Sequence, residues 1–239
     1  MYGLGYGFYG FGLDPTYILI IIGIILCLIA SRYMHATFNK YNRIRNARGL
    51  TGAQVAEQIL RTAGIYDVAV EHVSGNLSDH FDPRSMKLRL SDSTYNSMSV
   101  AALGVAAHEC GHAIQHQKGY APLAIRGALV PVANIGSWIA WPLIIIGFLI
   151  NSNSSDTLIN LGILAFSLSV LFQIVTLPVE FNASKRAVRI LDESNILYEE
   201  EVPQARKVLR AAALTYVASA AASILQLLRL VLLSNSRRD

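Results

Sequence analysis

His108 and His112 stand four residues apart in the run His108-Glu109-Cys110-Gly111-His112. On a helix, positions i and i+4 lie about 6 Å apart along one face, so both imidazoles can reach a single ion. Histidine nitrogen suits Zn²⁺, and a carboxylate beside the open coordination position can take a proton from the zinc-bound water. Zinc lowers that water's pKa to about 7, so hydroxide becomes available near neutrality. The pattern implies a hydrolytic centre with one zinc per chain and Glu109 as its base. Cys110 sits two positions from His108, about 200° round the helix, and cannot share the ion. It reads as small filler.

A catalytic zinc takes three protein ligands and keeps a fourth position for water. His116 continues the face of the two histidines, but i to i+8 spans about 12 Å. That reach is too long, so His116 is placed behind the ligands or on the surface. His72 and His80 can offer nitrogen, and Glu180 can offer oxygen from Pro178-Val179-Glu180-Phe181-Asn182-Ala183-Ser184. The plainer role for Glu180 is an interfacial carboxylate paired with Lys185 or Arg186. A donor must also face the developing oxyanion, and His80, Arg186 and Tyr216 all qualify by type. Asp79, His80 and Asp82 could hold a second cation, although a Pro-containing turn with local hydrogen bonds explains them more simply.

These residues need elements to hold them. Thr51-Gly52-Ala53-Gln54 is a capping box that opens a helix carrying Val55, Ile59, Leu60 and Ala63, with Gly64 as its stop. Val68, Val70 and His72 alternate with small or polar neighbours, as do Met86, Leu88 and Leu90, which predicts two strands. A turn-rich stretch from Ser74 to Pro83 separates them. The second strand could offer an edge to an extended peptide, or pack against the helix that follows. That helix runs from about Met98 to His116 and bears the chemistry.

The rest of the chain is unusually apolar. Of 239 residues, 53% are hydrophobic and only 15% charged, against about a quarter charged in soluble domains. Mean hydropathy is +0.39. Disorder is excluded by the same numbers, and two cysteines make no disulfide framework. A bilayer core needs about 20 apolar helical residues, and four stretches qualify: 15–31, 127–155, 157–179 and 211–228. Arg229 interrupts the last near its end, where it can snorkel. The first stretch lacks a basic leader and a small-residue cleavage site, so it reads as a retained anchor.

Net charge is +4, and the basic residues crowd the span ends, so the partner they imply is a bilayer and not nucleic acid. Residues 1–15 carry no Lys or Arg, whereas Arg32, Lys40, Arg43, Arg45 and Arg48 follow the first span. Lys185, Arg186, Arg189, Arg206, Lys207 and Arg210 lie between the third and fourth. The positive-inside rule then places the N-terminus outside and both 32–126 and 180–210 inside, with Arg237 and Arg238 as a small violation. Two crossings return Glu180 to the side of the histidines, which favours it as third ligand.

The motifs Leu77-Ser78-Asp79-His80-Phe81-Asp82-Pro83-Arg84, Gly104 through His116, Leu129-Val130-Pro131-Val132-Ala133-Asn134, the Glu180 run and Ala212-Ala213-Leu214-Thr215-Tyr216-Val217-Ala218 resemble the YugP-like family of bacterial integral-membrane neutral zinc metallopeptidases. The resemblance covers almost everything after the N-terminal tail. It implies zinc held by His108 and His112, with Glu109 as catalytic base. Wider likeness to membrane gluzincins, whose third ligand opens an E-x-x-x-D helix, implies Glu180. Ser184 stands at the Asp position, which leaves the group behind His108 or His112 unassigned.

The expected protein is mainly α, with four transmembrane helices and a small zincin-like α+β catalytic segment. Its expected divisions are a Gly/aromatic tail (1–16), the first span (17–31), a catalytic segment (32–126), the second and third spans (127–150 and 157–177), a Glu-ligand helix and loop (178–210), and the fourth span (211–233). The expected activity is zinc-dependent endopeptidase at the cytoplasmic face of a bacterial plasma membrane, acting on proteins or peptides, membrane proteins among them. Two alternatives are an intramembrane-cleaving zinc protease and a silent zinc-stabilised scaffold. The first would want an L-D-G-like aspartate, which Leu191-Asp192-Glu193 only half resembles. The second leaves an intact Glu109 without purpose.

Overall fold

The computed structural model describes residues 14–150 and 154–237; residues 1–13 of the Gly/aromatic tail (1–16) lie outside them. In chain order the elements are α1 (Tyr17–Tyr41), α2 (Gly52–Thr62), β1 (Ala69–Val73), β2 (His80–Asp82), β3 (Lys87–Ser91), α3 (Val100–Gln117), α4 (Ala121–Leu149), α5 (Ser155–Glu193) and α6 (Val202–Ser236). Helices α1, α4, α5 and α6 are long and apolar enough to cross a membrane. The result is a mainly α membrane protein with a small α+β segment, as the hydropathy pattern requires.

Lipid supplies no hydrophobic drive between helices, so spans associate through close packing at small residues. In α4 and α5, a Cβ added at Gly136 would come within 2.6 Å of the Ala165 carbonyl oxygen. Gly23 of α1 meets Ala222 of α6 in the same way, at 3.1 Å. Outside these seams α1 presents Ile18, Ile25 and Ile29, all exposed on the protein and suited to acyl chains. Arg229 is buried, its guanidinium 4.2 Å above the ring of Tyr17. The α1 aromatic covers the charge that hydropathy places near the end of the span.

The polar segment folds on α3. Thr51 and Gln54 exchange the two hydrogen bonds of the capping box, and α2 ends where Gly64 takes φ +73°, a backbone state that favours glycine. Val55, Ile59 and Leu60 of α2 pack with Leu103, Ala106 and Cys110 of α3. Each fully buried aliphatic side chain contributes roughly 1.5–3 kcal/mol. Helix α3 also meets α5, α6 and β2, so nearly its whole surface is buried and a weakly polar, Ala-rich composition fits.

The sheet order is β1-β3-β2, with β1 and β3 parallel and β2 antiparallel to β3. Two expectations change. Residues 80–82, read as turn, form a third strand, because one turn of alternation is too short to register in sequence. Strand β3 is central and has both edges paired, so it offers none to a peptide; β2 borders the cleft instead. The stretch carrying Glu180 and Ser184 is the continuous end of α5, and α6 begins at Val202, so 178–210 is two helix ends joined by a short connection.

Candidate metal centre and its cleft

Small residues bring α3 and α5 together at the histidines. A Cβ at Gly111 would lie 2.7 Å from the Ala183 carbonyl oxygen, so α5 rests directly on the α3 backbone beside His112. That approach sets Glu180 against both imidazoles. His108 Nε2 and His112 Nε2 are 3.2 Å apart, and Glu180 Oε2 lies 3.2 Å from the first and 3.6 Å from the second. Among the described residues these three form the one His/Cys/Asp/Glu group close enough to share an ion.

The donor set fits zinc. A tetrahedral ion with bonds of about 2.0–2.1 Å spaces neighbouring donor atoms about 3.3–3.4 Å apart, close to the three separations found. The tautomers agree as well. Gln115 Nε2 donates to the Val179 carbonyl at 2.9 Å and to Asn182 Oδ1 at 3.0 Å, which turns Gln115 Oε1 towards His112 Nδ1, 3.0 Å away. An amide oxygen only accepts, so Nδ1 carries the proton and Nε2 presents a lone pair to the centre. For His108, Ser184 Oγ sits 3.1 Å from Nδ1 and can accept in the same manner. Ser184, four positions after Glu180, thus takes the place behind His108.

Electrostatics favour a cation. Burial disfavours the charged form of His112, but the Glu180 carboxylate and the charge of Glu109, helped by Gln115, outweigh it and raise its proton affinity above the usual value. A site that holds a proton against desolvation offers the same field to a metal ion. Arg126 approaches Glu180 Oε1 at 3.4 Å, leaving Oε2 for the imidazoles. Glu180 is only 2% exposed, and its buried charge is met by Arg126 and the two imidazoles.

Glu109 is held separately. Its Oε2 accepts the Phe81 backbone N–H from β2 at 3.0 Å, and its side chain lines the same cleft of about 580 Å³ as the three ligand candidates, Arg126 and Tyr216. Cys110 faces the other way, donating to the Ala56 carbonyl, and burial pushes its thiol well up.

The remaining candidates separate. His72 is bound to Asp92 at 2.6 Å, away from the cleft. His80 lies on the cleft rim, but Arg89 can only donate, so His80 Nε2 accepts from it at 3.3 Å and Nδ1–H donates to the Ser78 carbonyl. Both nitrogens are occupied. His116 is exposed on the cleft rim and packs at a tilt of 54° against Phe81, with ring centroids 5.8 Å apart. Arg186 donates to Asn182 Oδ1 at 2.7 Å, three hydrogen bonds behind His112 by way of Asn182 and Gln115. Asp79 accepts twice from Ser91, and Asp82 accepts from Ser85 Oγ, the Arg84 N–H and Arg89, which lower its pKa. Asp82 is thus held partly within its own turn, whereas the Asp79 bonds cross to Ser91 on β3. Asp192 is about 18 Å further along α5 than Glu180.

Arg126 and Gln115 are the two residues that sequence reasoning missed. Arg126 had a signal: it is the last charge before the long apolar stretch of α4. Gln115 follows His112 by three positions, which aims it at that ring's outer nitrogen. Replacing Gln115 with Ala is expected to weaken zinc binding about 10–100-fold, measured by competition with a chromogenic chelator, with the fold unchanged by circular dichroism.

A four-span membrane body that carries a His/His/Glu metal site on its polar end is the build of a membrane metallohydrolase. The chain belongs to the family described as "Putative neutral zinc metallopeptidase", which matches residues 16–235. It is similar to "Putative membrane protease YugP" of Bacillus subtilis (strain 168), with 46% identity over 204 residues that cover 85% of this chain and 89% of that protein. No solved structure matches it.

Proposed function

We propose that the chain is a membrane-embedded zinc endopeptidase, with its cleft on the cytoplasmic side, that cleaves protein or peptide substrates. The observation that carries the reading is the trio His108 Nε2, His112 Nε2 and Glu180 Oε2, spaced at 3.2–3.6 Å with the outer ring nitrogens already engaged. Zinc bound there would supply a Lewis acid that polarises the scissile carbonyl and acidifies the attacking water.

The chain's own groups do the rest. Glu109, fixed at Oε2 by Phe81 N–H, accepts the proton of the attacking water and returns it to the leaving amine. Tyr216, which lines the cleft, donates towards the oxyanion. Arg126 lines the same cleft and pairs with Glu180. The cytoplasmic placement rests on the Lys and Arg that follow α1 and flank the α5–α6 connection.

Stripping the detergent-solubilised full chain of metal is expected to abolish hydrolysis of an unfolded protein substrate, and equimolar zinc to restore it. Full turnover by protein verified as metal-free would overturn the reading.

A further inference from the structure

A second cavity, of about 840 Å³, lies between the polar ends of α5 and α6 and is lined in part by Tyr33 of α1. Its rim and its floor differ in character. Lys185 and Arg189 of α5 and Arg206 and Arg210 of α6 line it together, against two carboxylates, Asp192 and Glu193. Arg189 is taken by Glu193 at 2.6 Å. Lys185, Arg206 and Arg210 are exposed and make no ion pair among the described residues. Below them the wall is apolar: Phe181 and Leu214 are each 47% exposed, and Val217 is 37% exposed.

The depth of this groove is set by the helices. Lys185 follows the end of one apolar stretch, at 179, by less than two turns, and Arg210 immediately precedes the next, at 211. The cations therefore sit at the level of lipid headgroups, with the exposed apolar wall at the level of acyl chains. Tyr33 stands where aromatic rings favour the interface.

We propose that this groove binds one anionic phospholipid, its headgroup phosphate held by Lys185, Arg206 and Arg210 and an acyl chain laid along Phe181, Leu214 and Val217. Charge complementarity selects the occupant: basic pockets between spans take acidic headgroups, and three unpaired cations above an apolar wall match a phosphate attached to hydrocarbon. The groove shares Ser184, Leu209 and Ala213 with a smaller cavity that reaches His108, Glu109 and Glu180. The bound lipid thus lies against the back wall of the metal centre. The binding itself is independent of the proposed hydrolysis.

Native mass spectrometry of the full chain, released from micelles doped with equal phosphatidylglycerol and phosphatidylcholine, tests it. The wild-type chain is expected to retain one phosphatidylglycerol in preference to phosphatidylcholine, and excess inorganic phosphate should not displace it. The triple variant Lys185→Gln, Arg206→Gln, Arg210→Gln should lose retention, by about fivefold for each cation removed. A variant matched in charge but remote, Arg43→Gln, Arg61→Gln, Lys118→Gln, should retain the lipid. Should the triple variant fail to fold, Arg206→Gln alone carries the test, with the fivefold loss. Equal retention of both lipids, displacement by phosphate, undiminished binding by the groove variants, or equal loss in the remote variant would each overturn the proposal.

Discussion

Glu109→Gln is expected to keep zinc bound and to lose peptide hydrolysis by about 10²–10⁴-fold, the usual contribution of a positioned general base. The amide is nearly the same size as the carboxylate, which matters at a residue only 8% exposed. Its oxygen can still accept the Phe81 N–H that holds Glu109, so neither β2 nor α3 has reason to move. What the amide cannot do is take a proton at neutral pH. Glu109 is also absent from the trio of closely spaced donor atoms, so metal content should stay near that of the wild type. Metal analysis and turnover of a quenched fluorescent peptide, run on one preparation, separate the two effects. Unchanged turnover would remove Glu109 as the base, and turnover lost together with zinc would make it a structural support of the site.

The local signals survived folding better than the distant ones. The capping box at Thr51 and the stop at Gly64 are decided within one helical turn, and both stand where the residue types put them. The i, i+4 histidines likewise share a face because helical geometry admits no other outcome. Glu180 lies 72 positions from His108, and no local rule reaches it; topology narrowed it to the correct side, and the small residues Gly111 and Ala183 supply the contact. The short strand β2 and the interior place of β3 depended on pairings between segments, which alternation alone cannot assign. Gln115 and Arg126 escaped for a related reason. Arg126 points at Glu180 on another helix, and Gln115 is aimed at His112 only because its amide is held by Val179 and Asn182 of α5; a polar residue on a helix face looks the same whether it meets solvent or a buried ring.

Glu180→Ala should lower zinc affinity by more than about 100-fold, beyond the loss typical of a group placed behind a ligand. The argument turns on the absence of a substitute. His72 is tied to Asp92, both nitrogens of His80 are engaged by Arg89 and Ser78, and the exposed His116 packs at a tilt against Phe81. None can reach the centre without giving up a contact and moving its element. The variant also leaves Arg126 without its carboxylate partner, so some loss of stability is expected even without metal. Thermal unfolding with and without zinc distinguishes these contributions. A ligand that binds only the folded state raises the transition temperature in proportion to its occupancy. The wild-type chain should therefore show a zinc-dependent rise that Glu180→Ala lacks at the same concentration, while the two chelated proteins differ by the lost contacts of Glu180 with Arg126 and the two imidazoles. An undiminished zinc-dependent rise in the variant would show that α5 does not close the metal site.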